Sequence, residues 1–278
     1  GCEVYVAPGS RFDKEIGREE DRYYHLVLLA ENQEGYQNLM KIVSTGFVDG
    51  FYYKPRVDLE ILEKYHEGII ALSACLAGEV ARDITKGFYE ESKKAALRYE
   101  EIFGKGNFFL ELQDHGIPEQ HRVNQQLVRM SRETGIELVA TNDIHYTYST
   151  DAEAHDILLC VQTGKRLQDE DRMRYEGGQY YVKSVEEMAA LFPYAPEALE
   201  NTHKIAKRCN VEIEFGVTKL PKFDVPEGYT AWEYLNKLCF DGLAERYSGN
   251  MEELEERLNY ELNVIKNMGY VDYFLIVW

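Results

Sequence analysis

Six residues able to hold a metal ion fall at the ends of short apolar runs. Glu3 stands in Gly1-Cys2-Glu3-Val4-Tyr5-Val6, and His25 opens His25-Leu26-Val27-Leu28-Leu29-Ala30. Cys75 follows Gly68-Ile69-Ile70-Ala71-Leu72-Ser73. His115 follows Asn107-Phe108-Phe109-Leu110-Glu111-Leu112, within Gln113-Asp114-His115-Gly116. Asp143 and His145 follow Glu137-Leu138-Val139-Ala140-Thr141. Carboxylate, imidazole and thiolate together suit zinc or a related divalent ion. Asp143 and His145 form the most specific pair, because alternate residues of an extended segment face the same side. Each residue also has a simpler reading. Glu3 fits a solvated strand position, His25 a hydrogen-bonded core histidine, Cys75 a small buried hydrophobe and Asp143 a turn residue.

The elements that would position these side chains follow from the apolar spacing. Strands are expected over Cys2 to Ala7, His25 to Ala30, Gly68 to Ser73, Asn107 to Leu112 and Glu137 to Thr141. Helices are expected from Gly35 to Phe47, through Ala96, Tyr99 and Phe103 up to Gly104, and from Pro118 to Gly135 with Val123, Leu127 and Met130 inside. Strands separated by helices of this length imply βαβ units and a mostly parallel sheet or barrel. In such folds the strand ends converge on one mouth, so ligands distant in sequence meet there.

Beyond about residue 150 the pattern becomes mainly helical. Thr150 with Glu153, Ser184 with Glu187 and Thr230 with Glu233 read as capping boxes. Short strands are expected at Gln179 to Lys183 and at Val211 to Phe215. Residues 216–230, with Gly216, Pro221, Pro226 and Gly228, read as a connector. Trp232, Leu235, Cys239 and Leu243 form one helical face, and Leu254, Leu258, Leu262 and Ile265 form another. The acidic run Met251 to Glu256 reads as a solvated helix face. His66, His121, His155 and His203 are poorer candidates for chemistry.

A net charge of −18 over 278 residues argues against a nucleic-acid or membrane grip by this chain itself. No apolar run nears the ~20 residues that span a bilayer, so no membrane association is expected. Five scattered cysteines form no disulfide framework and point to the reducing cytoplasm. No GxGxxG, Walker or GxSxG motif is present. Lys41, Lys54 and Arg56 near Phe51, Tyr52 and Tyr53 make only a small basic and aromatic cluster. The chain opens in a strand already under way and closes on the apolar run Tyr273 to Trp278, so it reads as a fragment cut at both ends.

Several strings resemble the polymerase and histidinol phosphatase (PHP) domain of bacterial DNA polymerase III alpha subunits. They are Gly1 to Tyr5, His25 to Asn32, Gly35 to Leu39, Leu72 to Glu79, Glu111 to Gln120 and Thr141 to Tyr146. The likeness runs on through Ala206 to Asn210 and Met268 to Ile276, and covers essentially the whole chain. It implies a distorted β/α barrel of PHP type, short of its first strands, followed by a mainly helical region. It places the PHP domain at 1–218, with the barrel part at about 1–150 and a helical tail at about 151–218. Residues 219–278 would be a connector and the start of the polymerase palm region.

Carried over by the resemblance, Glu3, His25, Cys75, Asp143 and His145 are the metal ligands, and His115 has a supporting role. The implied ions are zinc or manganese at the PHP site and magnesium at a polymerase site outside this chain. The implied partners of the parent protein are a DNA primer-template, deoxynucleotides, the sliding clamp and other replisome subunits. The family's opening HxH, with a later Asp and an Asp-His motif, would precede Gly1, and the palm aspartates would follow Trp278. No polymerisation residue is therefore expected in the chain, and no activity from the chain alone. Two functional classes stay open: a PHP domain that hydrolyses phosphodiesters at DNA 3′ ends, or a non-catalytic scaffold that supports the polymerase and binds a proofreading partner. A standalone PHP phosphatase fits less well, because residues 230–278 resemble the entry to a palm.

Overall fold

A computed structural model describes residues 1–15, 22–217 and 219–278. The chain divides into two compact units, Gly1–Glu212 and Ile213–Trp278. The boundary expected at 218 falls on a residue outside the described ones.

The first unit runs β1 (Cys2–Val6), β2 (Tyr24–Ala30), α1 (Gln33–Val48), β3 (Phe51–Tyr52), β4 (Lys54–Val57), α2 (Leu59–Lys64), β5 (Ile69–Leu72) and α3 (Glu79–Thr85). It continues with α4 (Tyr89–Phe103), β6 (Phe108–Leu112), α5 (Pro118–Thr134), β7 (Leu138–Ala140), α6 (Ala152–Thr163), α7 (Val185–Leu191) and α8 (Pro196–Arg208). The strands form one seven-stranded sheet in the order β3-β4-β1-β2-β5-β6-β7. This is the mixed α/β architecture of the PHP-type expectation. Among the described residues the sheet is open, with β3 and β7 at its two edges.

The sheet is parallel from β5 to β7 and between β1 and β4, but β2 runs antiparallel to both of its neighbours. That reversal matters for the site. It brings the start of β2 to the sheet end where β5, β6 and β7 finish. His25 accordingly lies opposite Tyr5 and forms a bridge to Gly78, just past β5.

Strand residues alternate between two buried faces. Val4, Val6, Leu26, Leu28, Ile69, Ala71, Leu110 and Leu112 belong to the larger core, which also holds Ile42 of α1, Tyr99 of α4 and Leu127 of α5. Ile70, Leu72, Phe109 and Val139 face the other way and pack with Ile205 of α8. Glu3, His25 and Glu111 share the parity of this second face. The metal-ligand candidates thus lie on the α8 side of the sheet, where its apolar packing gives way to polar groups.

Local chemistry sets the element ends. Asn32 caps α1 by accepting from the Gly35 N–H at 2.9 Å. Gly35 is required there, because a Cβ would fall 1.8 Å from the Gly68 carbonyl oxygen. Pro118 starts α5 and Gly135, at φ 81°, ends it. The β3–β4 hairpin, absent from the sequence expectation, is held from beneath by Arg56. This fully buried guanidinium donates to the carbonyls of Gly50, Arg11, Arg22 and Asp13. The hairpin turns at Tyr53, a non-glycine residue at φ 61°. That left-handed conformation costs roughly 1–2 kcal/mol for an L-residue.

Three local expectations are corrected. Thr150 and Glu153 form no capping box; the turn there is closed by the Asp151 carboxylate, which accepts from the Tyr148 N–H at 3.0 Å. Gln179 to Lys183 is not a strand. Its backbone meets residues 145–147 irregularly, with Tyr180 O accepting from His145 N–H and Val182 N–H donating to Thr147 O. Val211 to Phe215 also forms no strand, because no strand among the described residues pairs with it. The capping boxes at Ser184 and Thr230 are present.

The second unit contains α9 (Ala231–Arg246), α10 (Met251–Asn267) and α11 (Val271–Val277). They enclose a small core around Leu235, Leu262 and Leu275. The acidic start of α10 is solvated, as its charge run implied.

Candidate metal centre

Glu3, His25 and Cys75 converge. Glu3 reaches His25 from the adjacent strand, with Oε1 3.1 Å from Nδ1. Cys75 Sγ lies 3.6 Å from the same nitrogen. One donor atom from each of the three residues falls within 4.8 Å of the others. A carboxylate, an imidazole and a thiol aimed at one point suit zinc, and three protein ligands leave positions open for further ligands or substrate. Burial opposes charge on His25, but hydrogen bonding to Cys75 and Glu3 outweighs it and raises the imidazole to about 9.

The loop after β5 places Cys75. Its residues pass through Ala74 at φ 62°, a strained position for a side chain with a Cβ. Glu111 holds that position by accepting from the Ala74 N–H at 2.9 Å. The same carboxylate accepts from Gln113 Nε2 and Thr141 Oγ1, while the Glu111 N–H donates to Ser73 Oγ. Burial pushes the Glu111 carboxyl up, against the pull of these donors. Gly78 closes the loop where a Cβ would meet Ser73 O at 2.2 Å, and Ala77 O accepts from the His25 N–H. Loop and strand are therefore tied together directly at the site.

Glu111 was not singled out from the sequence. The available signal was a lone carboxylate in the otherwise apolar run Phe108 to Leu112, every residue of which is buried. Replacing it with Leu leaves several buried donors unpaired, at about 1–3 kcal/mol each. Glu111→Leu is therefore expected to lower the melting temperature by several degrees and to reduce bound metal, by freeing Cys75. Thermal denaturation with parallel elemental analysis checks this; unchanged metal content would mean that the loop holds without Glu111.

Asp143 and His145 form a second group rather than joining the first three. Asp143 Oδ1 lies 3.8 Å from His145 Nδ1. That nitrogen donates to the Asp143 carbonyl at 3.1 Å, since a carbonyl can only accept. The tautomer so fixed leaves Nε2 free to bind a metal. Tyr175 packs against His145. Its ring centre is 4.4 Å from that of His145, and the charges of Asp143, Cys75 and Glu3 add to burial in raising its hydroxyl. His155 packs edge-on to His145 and Tyr175 rather than standing apart. Nothing in the sequence pointed to Tyr175 or Tyr180, which lie in an irregular, glycine-containing segment.

His115 is buried and stacks on Tyr180 at 4.4 Å, with the ring planes 9° apart. Its backbone N–H donates to Gln120 Oε1, which turns the Gln120 amide so that Nε2 donates to His115 Nδ1 at 3.0 Å. The ring proton is thereby placed on Nε2, which has no hydrogen-bond partner among the described residues. Burial lowers His115 below the ordinary histidine value, against the opposing pull of Asp143. A neutral ring, not a fourth member of the three-residue cluster, is what the geometry provides.

Residues 1–115 match the family model described as PHP domain. Residues 233–278 match the one described as bacterial DNA polymerase III alpha NTPase domain. The whole chain is 46% identical to the DNA polymerase III subunit alpha of Treponema pallidum and 45% identical to that of Borreliella burgdorferi, covering 24% of each. It is 38% identical to that of Thermus aquaticus, again over the whole chain and 28% of the relative. The chain thus spans about a quarter of the length of these relatives. With the α/β sheet and the converging ligand types in place, the chain carries a PHP domain and a segment of the bacterial DNA polymerase III alpha NTPase domain, and along its whole length it is similar to about a quarter of a bacterial DNA polymerase III alpha subunit.

Proposed function

We propose that the chain is part of a bacterial replicative DNA polymerase catalytic subunit, acting in the cytoplasm, whose PHP domain hydrolyses phosphodiester bonds at a DNA 3′ end. The observation that carries this reading is the convergence of Glu3, His25 and Cys75 at one sheet end, with Asp143 and His145 following β7, which finishes at that same end. In this reading the PHP domain spans 1–218, and 219–278 form the connector and the start of the palm region. DNA primer-template and deoxynucleotides are the substrates of the whole polymerase, with magnesium at its palm. The sliding clamp and other replisome subunits are its partners.

Zinc or manganese held by the five ligands would polarise a phosphate oxygen and lower the pKa of a bound water toward ~7. The chain's own residues prepare for this in distinct ways. Glu3 is half-exposed and offers two oxygens, so one carboxylate can serve two ions. His145 presents Nε2 because its other nitrogen is held by the Asp143 backbone. Glu111 and the Ala74 turn fix Cys75. Tyr175 and Tyr180 pack against the His145 ring and hold its orientation.

The test uses the intact polymerase, freed of any partner exonuclease. It should extend a primer with magnesium and should also shorten a 3′-labelled oligonucleotide. Chelation followed by zinc or manganese alone should restore the shortening. Primer extension without 3′-end removal under any divalent ion would overturn the hydrolytic reading and leave the scaffold role for this domain.

A further inference from the structure

Beside His25 a run of aromatic rings leads away from the metal-ligand cluster toward the surface. Tyr23 stacks on His25 with ring centres 6.0 Å apart and planes 9° apart. Tyr5 meets His25 edge-on at 5.2 Å and Tyr23 at 4.6 Å. Lys54 Nζ sits 5.8 Å from the Tyr5 ring centre, and the Arg22 guanidinium lies 4.0 Å over Tyr53. Tyr52 and Tyr53 meet edge-on at 4.7 Å. In a chain of net charge −18, two cations thus stand among tyrosines next to a metal-ligand candidate.

Tyr53 is the telling residue. It occupies the left-handed turn between β3 and β4 at φ 61°, and it is 65% exposed. Glycine or asparagine would fill that turn with less strain. The exposed ring contributes little to the core, so folding alone does not account for tyrosine there. Strain of this kind, kept at an exposed position outside the core, is a mark of a functional position.

We propose that the β3–β4 turn, with Tyr5 and Tyr23, is a stacking platform for the unpaired nucleotides of a DNA 3′ end and leads that end to Glu3, His25 and Cys75. The proposal rests on the hydrolytic reading above and adds where the strand lies. Aromatic faces stack on any base, while Arg22 and Lys54 offset the charge of the phosphates. Binding by this surface is therefore independent of base sequence, favours frayed over paired ends, and weakens as salt rises.

The test again uses the intact polymerase without its partner exonuclease. Tyr53→Gly removes the ring and relieves the backbone, so the melting temperature should hold or rise. The same variant should raise KM for 3′-end removal roughly tenfold, the scale of one lost base–aromatic stack, with kcat and metal content kept. Lys54→Glu should raise KM and flatten its salt dependence. A Tyr53→Gly protein that melts earlier and keeps its KM would show a purely structural tyrosine and overturn the platform. A second measurement does not need hydrolysis: an oligonucleotide carrying 4-thiothymidine at its 3′ end is photo-crosslinked to metal-free protein. Crosslinks to Tyr5, Tyr23 or Tyr53 support the platform even if no nucleotide is ever removed, in which case only the hydrolytic reading fails. Crosslinks confined to other regions overturn it even if removal is rapid.

Discussion

Asp143→Ala and His145→Ala, each made in the intact polymerase, are expected to reduce 3′-end removal by roughly a hundredfold or more. Loss of an outer-shell partner alone costs a metal site about 10–100-fold, and a ligand costs at least as much. Both residues stand outside the Glu3, His25 and Cys75 cluster, which makes them a sharp test of whether the two groups act together. His145 packs against Tyr175, whose hydroxyl is raised by burial and then by the charges of Asp143, Cys75 and Glu3. If the groups form one centre, either variant stops hydrolysis while Glu3, His25 and Cys75 stay intact. Asp143 is half-exposed and anchors no buried network, so Asp143→Ala should fold normally and melt within about 1 °C of the parent. His145 packs against Tyr175, Tyr180 and His155, so its alanine variant is expected to lose some stability as well. The comparison separates chemistry from packing. Wild-type removal by both variants would refute the catalytic reading in favour of the scaffold role.

The ligand candidates were legible as residue types at strand ends, and the resemblance made them specific. What the sequence did not carry was the direction of β2. Read as one more parallel strand, it would have put His25 at the wrong end of the sheet. Its antiparallel run is what sets His25 against Tyr5 and Gly78. The hairpin at Phe51 to Val57 was also missed. Its strands are two and four residues long, and its turn holds tyrosine in place of the usual Asn-Gly signal. The failed strand at Val211 to Phe215 shows the opposite error. Strict alternation gives a period of two, but a strand also needs a neighbour to receive its hydrogen bonds, and the sequence does not say where the neighbour is. Glu111 lay in plain view as a charge in an apolar strand. Its role in pinning Ala74 depends on a contact between residues 37 apart, which periodicity cannot register.

Metal content should separate zinc from manganese through Cys75. A thiolate favours the softer ion, so Cys75→Ser is expected to lower bound zinc far more than bound manganese, while His25→Ala lowers both. Equal losses of the two metals in Cys75→Ser would exclude the thiol as a ligand. The pH dependence follows from the same three residues. With no metal bound, His25 is raised to about 9, through Cys75 and Glu3 and against its burial. Its ordinary value is near 6.5, so the protonated ring stabilises the metal-free fold fully below about pH 6.5, and that contribution is lost as pH rises through 9. Metal must displace that proton, since only the neutral imidazole coordinates. Affinity should therefore climb by up to about tenfold per pH unit for each proton released, and level off above 9. Two opposite trends result. The melting temperature of chelated protein should fall between pH 6.5 and 9, whereas the increment gained on adding zinc should grow over the same interval. Melting curves of the intact polymerase, with and without chelator across that range, read both at once. A zinc increment that stays flat with pH would mean that no proton leaves on binding, and that His25 is not a ligand.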